Sequence, residues 1–151
     1  MGKYLPNRNP ETPTDLNAIQ TQGKIELQWS GITTDETPEN EMTYDVRIRA
    51  KGKTCWINAP ITNSNGYRRI VALGRYNADS AIISLPLGEY EWQVQSVDQG
   101  YQSSSWSAVN SFIISSYFTA NTVCLGDTTT FTDHSTINGA NNSWYWDFGD
   151  S

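Results

Sequence analysis

His134 is the only histidine in the chain. It is therefore the only side chain able to act as the base of a Ser-His-Asp hydrolase, where imidazole must be oriented by a carboxylate and face a hydroxyl. The adjacent carboxylate is Asp133, and consecutive residues of an extended strand point to opposite faces. The pair reads as a surface histidine at a strand end, not as a catalytic base. Glycoside hydrolysis needs two carboxylates converging in a cleft. Asp35, Glu36, Glu39 and Glu41 instead share one polar stretch and read as a solvated acidic loop.

Asp133, Asp147 and Asp150 are oxygen donors of the type calcium selects, but the ion wants six to eight oxygens and the chain has no D-x-D-x-D-G pattern. Asp147 and Asp150 more simply shape a turn by accepting backbone N–H bonds. Metal and cofactor are therefore not expected. Trp56, Tyr101 and Trp106 fall on a short strand or beside loops, so they are the aromatic residues to consider for stacking on sugar rings. The competing reading is that Trp56 and Trp106 cover the edges of the fold, since large aromatics are mostly buried. Cys55 and Cys124 form no CxxC and carry no metal or redox motif.

These residues sit in a chain of 151 residues with 16 acidic and ten basic side chains, a net charge of −6. A nucleic-acid partner would require a basic face to neutralise phosphates. The basic alternation of Arg47, Arg49 and Lys51 reads as the exposed face of one strand. No apolar run approaches the roughly 20 residues that span a bilayer, so membrane insertion is not expected. MGKYLPNRNP has neither the apolar centre of a signal peptide nor a myristoylation pattern. Aromatic content of 12%, with six tryptophans, marks a chain that folds.

The hydrophobic pattern is that of strands. In Lys24–Trp29 the residues Ile25, Leu27 and Trp29 alternate with Lys24, Glu26 and Gln28. Thr43–Arg49 places Tyr44, Val46 and Ile48 inward and Asp45, Arg47 and Arg49 outward. Glu89–Gln95 does the same with Tyr90, Trp92 and Val94 against Glu91, Gln93 and Gln95. This period of two marks half-buried strands. Shorter strands are expected at 54–57, 67–73, 80–85 and 108–114. No segment has helical spacing over ten residues. About seven short strands with turns roughly every 8–12 residues predict an all-β, antiparallel sandwich of the immunoglobulin type over residues 13–115. Residues 1–12 read as a linker.

A second unit is expected over 116–151, with strands at 117–120, 128–133 and 144–148 and a turn at Cys124–Asp127. It is shorter than the roughly 40 residues that usually fold alone. Trp144, Trp146 and Phe148 share one strand face, so Trp146 is placed in a core of which this unit supplies half. An aromatic face of that kind needs a cover, either more of the same polypeptide or another surface.

Two stretches resemble known families. Pro10-x-x-Pro13-x-x-Leu16, Trp29, Tyr44-x-Val46 and Leu85-Pro-Leu-Gly-Glu-Tyr90 resemble the first strand, core tryptophan, third strand and tyrosine corner of fibronectin type III domains. MTYDVRI, NSNGYRRIVALG and LPLGEYEWQVQSVDQGY are similar to the fibronectin-like domain that follows FG-GAP (VCBS-type) propeller repeats in secreted proteins of Bacteroidetes-type bacteria. Lys51-Gly-Lys-Thr departs from the Gly-Gly loop frequent there. YFTANTVCLGDTTTFTDHS followed by WYWDFGDS resembles the first half of a PKD domain, with Ser151 in place of the motif's last glycine.

The resemblance implies a non-catalytic structural, spacer or adhesion module of a secreted or cell-surface protein, exported by a type IX route. Its expected partners are neighbouring domains of the same polypeptide, with other protein chains or glycans beside them. Cys124 would pair with a cysteine beyond Ser151. Asp79-Ser80-Ala81 and Asp127-Thr128-Thr129 look like the O-glycosylation sites of such proteins. Trp29, Tyr44, Tyr90 and Trp92 are the expected core, and strand pairing through the incomplete PKD half is an alternative role.

Overall fold

A computed structural model describes residues 6–21, 24–57, 70–115 and 118–133. Eight strands are present among them: β1 Asn17–Thr21, β2 Lys24–Gln28, β3 Thr43–Ala50, β4 Ser80–Ile83, β5 Gly88–Val97, β6 Asn110–Ile114, β7 Phe118–Ala120 and β8 Phe131–Asp133. The only helical turn described is a 3-10 turn at Glu39–Glu41. All strand pairs are antiparallel. One sheet has the order β1-β2-β4 and the other β3-β5-β6, while β7 and β8 form a separate hairpin. That order is the immunoglobulin-type arrangement, with strands one, two and four on one layer and three, five and six on the other.

The alternation in the sequence explains the core. Ile25 and Leu27 from β2, Tyr44, Val46 and Ile48 from β3, Trp92 and Val94 from β5, and Phe112 and Ile114 from β6 form one buried cluster with Trp29. Trp29 lies at tilted ring contacts of 5.3 Å to Tyr44 and 6.3 Å to Trp92. Tyr90 stacks on Phe112 at 5.5 Å. Its hydroxyl donates to the Pro86 carbonyl at 3.0 Å, closing the corner between β4 and β5. Trp29, Tyr44, Tyr90 and Trp92 are all buried, and Trp146 lies outside the described residues.

The structure corrects the strand expectations in several places. The stretch 54–57 contributes only a bridge from Ile57 to Ile48. The described part of 67–73 is irregular, and the neighbouring bridge comes from Tyr76 to Tyr44. Strand β8 starts at Phe131, later than expected. The segment 1–12, read as a linker, is tied to the sandwich from Asn7 onward. The Asn7 amide donates to the Asp98 carboxylate at 2.8 Å, and the Ser96 hydroxyl donates to the Glu11 carbonyl at 2.6 Å. Within the hairpin, the Asp127 N–H reaches the Cys124 carbonyl at 3.1 Å, and Gly126 supplies the positive φ of the turn.

The main correction concerns the outer face of β3 and β5. Strand parity assigns Asp45, Gln93 and Gln95 to solvent. They are buried, at 5%, 8% and 0% exposure. A second layer covers them, made of chain that forms no regular strand.

Candidate functional site

That covered face carries the most elaborate polar arrangement among the described residues. Its floor is set by register: Arg47 stands opposite Gln93 and Arg49 opposite Glu91. Arg47 donates through Nε and Nη2 to the Gln93 amide oxygen at 3.0 and 2.6 Å. Arg49 Nε meets Glu91 Oε2 at 2.7 Å, and Lys51 Nζ meets Glu89 Oε2 at 2.7 Å. Cross-strand pairs of this kind are the unit of sheet stabilisation.

Two indoles close over the floor. The Arg47 guanidinium lies 4.3 Å from the ring of Trp56 and 4.3 Å from the ring of Trp106. Arg49 lies 4.4 Å from the Trp56 ring. Arg47 thus contacts both indoles, and Trp56 contacts both guanidinium groups. Burial, and then the Arg49 charge, push the Arg47 pKa down from 12.5 to about 10, which leaves it a cation at neutral pH. The ring faces and the Gln93 oxygen offset its lost hydration.

Trp106 is held by a serine-rich segment that takes the place of a sixth-strand continuation. The Ser107 hydroxyl accepts the Val94 N–H at 3.0 Å, and the Ser104 hydroxyl accepts the Ser96 N–H at 3.1 Å. The backbone N–H groups of the same two serines return to the Val94 and Ser96 carbonyls. Hydroxyls and backbone N–H groups of the two serines thus complete the β5 hydrogen bonding along a segment that is not itself a strand. On the other flank, Gly74 N–H donates to Thr43 Oγ1 at 2.8 Å and Arg75 N–H to Asp45 Oδ1 at 3.1 Å. The close approach explains Gly74: a Cβ there would lie 2.5 Å from the Tyr44 backbone nitrogen.

The aromatic residues considered for sugar stacking do not form an exposed row. Trp106 is buried, and both Trp56 contacts and the Trp106 contact are made to guanidinium groups. Tyr101 is 47% exposed on the turn after Asp98. Arginine side chains lie against the rings of both Trp56 and Trp106, and Trp56 is half-buried. The arrangement was partly visible in advance, because Arg47-x-Arg49-x-Lys51 is matched in reverse order by Glu89-x-Glu91-x-Gln93. The indoles had no such signal, since they come from segments without periodicity.

The remaining candidates are placed as follows. Asp35 accepts the Thr37 N–H at 2.8 Å, a local turn bond, and Glu36 faces Arg8 at 4.0 Å. Asp133 ends β8; His134, Asp147 and Asp150 lie outside the described residues. Among the described residues no group of three His, Cys, Asp or Glu converges as metal ligands. Cys55 and Cys124 are free and exposed. Among the described residues no helix is long and apolar enough to cross a membrane.

No family model matches the chain, and no curated protein matches it. Among solved structures, module A71 of titin from human cardiac muscle matches with a TM-score of 0.45 and 16% sequence identity, over 72% of this chain and 92% of that chain. The strand order and the shared core of the two sheets define an immunoglobulin-like β-sandwich.

Proposed function

We propose that the chain is a non-catalytic spacer module of fibronectin type III character, spanning 13–115, followed by the first half of a PKD-like unit over 116–151. Its work is to hold neighbouring domains of a secreted or cell-surface protein at a fixed distance and orientation, including presentation of adhesive domains. The observation that carries this reading is the polarity of the chain. Asn7 is bonded to Asp98, just past the end of β5, whereas Ser115 follows Ile114, which pairs with Gly88 at the start of β5. The chain therefore joins the sandwich at one pole and leaves at the other. Ten residues of strand separate the poles, about 33 Å at roughly 3.3 Å per residue. The covered face supports the same reading, because its aromatic and charged groups are spent on one another.

The test is exchange. Replacing residues 7–115 with an unrelated sandwich of the same polarity and length should preserve the activity of the polypeptide that carries them. Replacing them with a Gly/Ser tether should abolish it, since such chains fix neither distance nor direction. Activity that survives the tether removes the spacer reading. Binding on a glycan array that is lost in Trp56→Ala would favour the carbohydrate alternative instead.

A further inference from the structure

We propose that the free edge of β4 is a self-association surface, on which a second copy of this chain pairs antiparallel about Ile82. The proposal goes beyond the spacer reading and does not rest on it.

A sheet edge offers a row of unpaired N–H and C=O groups, and folded proteins cover or charge such rows. The two sheets of the sandwich have four edges, and three are covered. Tyr76 caps β3 by exchanging bonds with Tyr44 at 2.9 and 2.7 Å, and Ile57 exchanges bonds with Ile48 on the same strand. β1 and β6 close on each other: Asn110 Nδ2 donates to the Leu16 carbonyl at 2.7 Å, and Gln20 Nε2 to the Ser115 carbonyl at 3.2 Å. β4 pairs with β2 on one side. On its other side, among the described residues, no strand, bridge or hydrogen bond meets it. Its sequence, SAII, has neither the charge nor the proline that protects exposed edges.

The side chains choose the occupant. On the outer face Ile82 is exposed and shares a cross-strand row with Glu26 and Ile19. On the inner face Ala81 is buried and Ile83 is half-buried against the core. An antiparallel pair about a twofold axis at Ile82 matches like with like. Ile82 lies opposite the partner's Ile82, Ala81 opposite the partner's Ile83, and Ser80 opposite the partner's Ser84. A twofold contact must be self-complementary in this way. The neighbouring registers that preserve the faces are worse. One sets Ile83 against the partner's Asp79, and the other sets Ser80 against the partner's Pro86, which has no N–H.

Charge permits the pair despite the −6 on each chain. The two Glu26 carboxylates would lie three strand spacings apart, about 14 Å at roughly 4.8 Å each. That exceeds the screening length of about 8 Å at physiological salt. A four-residue edge buries less than the roughly 1,200 Å² of stable complexes, so the dimer is weak, with Kd about 0.1 mM. It joins two three-stranded sheets into one of six and holds two parent polypeptides side by side.

Sedimentation equilibrium of the full chain carrying Cys55→Ser and Cys124→Ser, from about 10 µM to about 1 mM, tests the proposal. A monomer–dimer equilibrium is expected. Ile82→Lys adds the charge that natural edges carry and should weaken it at least about tenfold. Ile113→Lys, similarly exposed but on β6, should leave it unchanged. A denaturant titration verifies that each variant is folded. Cross-linking gives a second readout and decides the matter if Ile82→Lys does not fold. Directly opposed residues have Cα atoms about 4.5–5.5 Å apart, within disulfide reach. Oxidation should therefore join two copies of Ile82→Cys at least about tenfold faster than two copies of Ile113→Cys. A monomer at the highest concentration overturns the proposal and leaves the edge to a strand of a different polypeptide. A dimer that survives Ile82→Lys, or equal cross-linking at the two positions, also overturns it and moves the contact elsewhere, as strand pairing through residues 116–151 would require.

Discussion

Glu26 on β2 and Gln93 on β5 occupy equivalent positions by strand parity, since each points away from the shared core. Glu26 stands between Ile19 and Ile82 of the neighbouring strands, and Ile82 is 66% exposed. Its polar contact is the Gln28 amide at 3.2 Å. Gln93 is buried, bonded to Arg47, in a face overlain by Trp106. The first sheet has one buried face, and the second is covered on both. Alternation of polar and apolar residues reports which side a strand presents to the core. It does not report whether the other side meets water.

The sharpest way to break the contrast is to remove one residue from each outer face. Arg47→Ala leaves Trp106 without its cation and Trp56 with Arg49 alone, strips the packing of the arginine stem, and should cost about 3 kcal/mol in denaturant unfolding. Glu26→Ala should fall within about 0.5 kcal/mol of the parent. Arg47→Lys should recover less than half of the loss, because an ammonium lacks the planar stacking surface. Equal effects at Arg47 and Glu26 would show that the covering layer adds nothing.

Gly74 tests the flank of that cover. In Gly74→Ala the new methyl meets backbone that cannot yield, at 2.5 Å, and a loss of about 2 kcal/mol is expected in the same titration. Gly52 provides the comparison: nothing lies within 4 Å of its Cβ position, but its φ is +76, so alanine there should cost about 1 kcal/mol through backbone conformation alone.

The inner layer has its own signature in alkali. Burial raises the Tyr44 pKa from 10.0 to about 12, against the lowering effect of the Ile32 N–H that its hydroxyl accepts at 3.1 Å. The unfolded chain loses this proton first. The stabilisation is therefore complete below pH 10 and is lost as pH rises toward 12. Unfolding midpoints measured across that range should fall, and Tyr44→Phe should flatten the decline.

The smallest effect is expected at the most deeply buried polar group of the covered face. Among the described residues neither amide atom of Gln95 has a hydrogen-bond partner, although its side chain is fully buried. Gln95→Met keeps the volume and removes the unsatisfied groups, so it should be neutral or stabilising by up to about 1 kcal/mol. A clear loss would mean that the amide is satisfied by bound water.

How far the sequence could be read follows from the same contrast. Ile25, Leu27, Tyr44, Val46, Trp92 and Val94 announce themselves because one-sided burial imposes a period of two. Pro86 to Tyr90 announces its corner because turn residues precede a tyrosine able to reach back. Asp45, Gln93 and Gln95 mislead, because their burial depends on Trp56, Trp106 and Gly74, which arrive from distant irregular segments. Asp15 was equally silent: its φ of +52 leaves no pattern in a single chain. The candidate site is thus the part of the molecule in which tertiary packing overrides local pattern.

The central claim is that the chain passes through the sandwich from pole to pole as a rigid rod. Spin labels at Arg8→Cys and Ser115→Cys, with Cys55 and Cys124 changed to serine, test it by pulsed dipolar distance measurement. Both label positions are exposed, and both native cysteines are free and exposed. The expected result is one narrow distribution centred near about 35 Å, set by the length of β5. A broad distribution, or a mean below about 20 Å, would contradict the account.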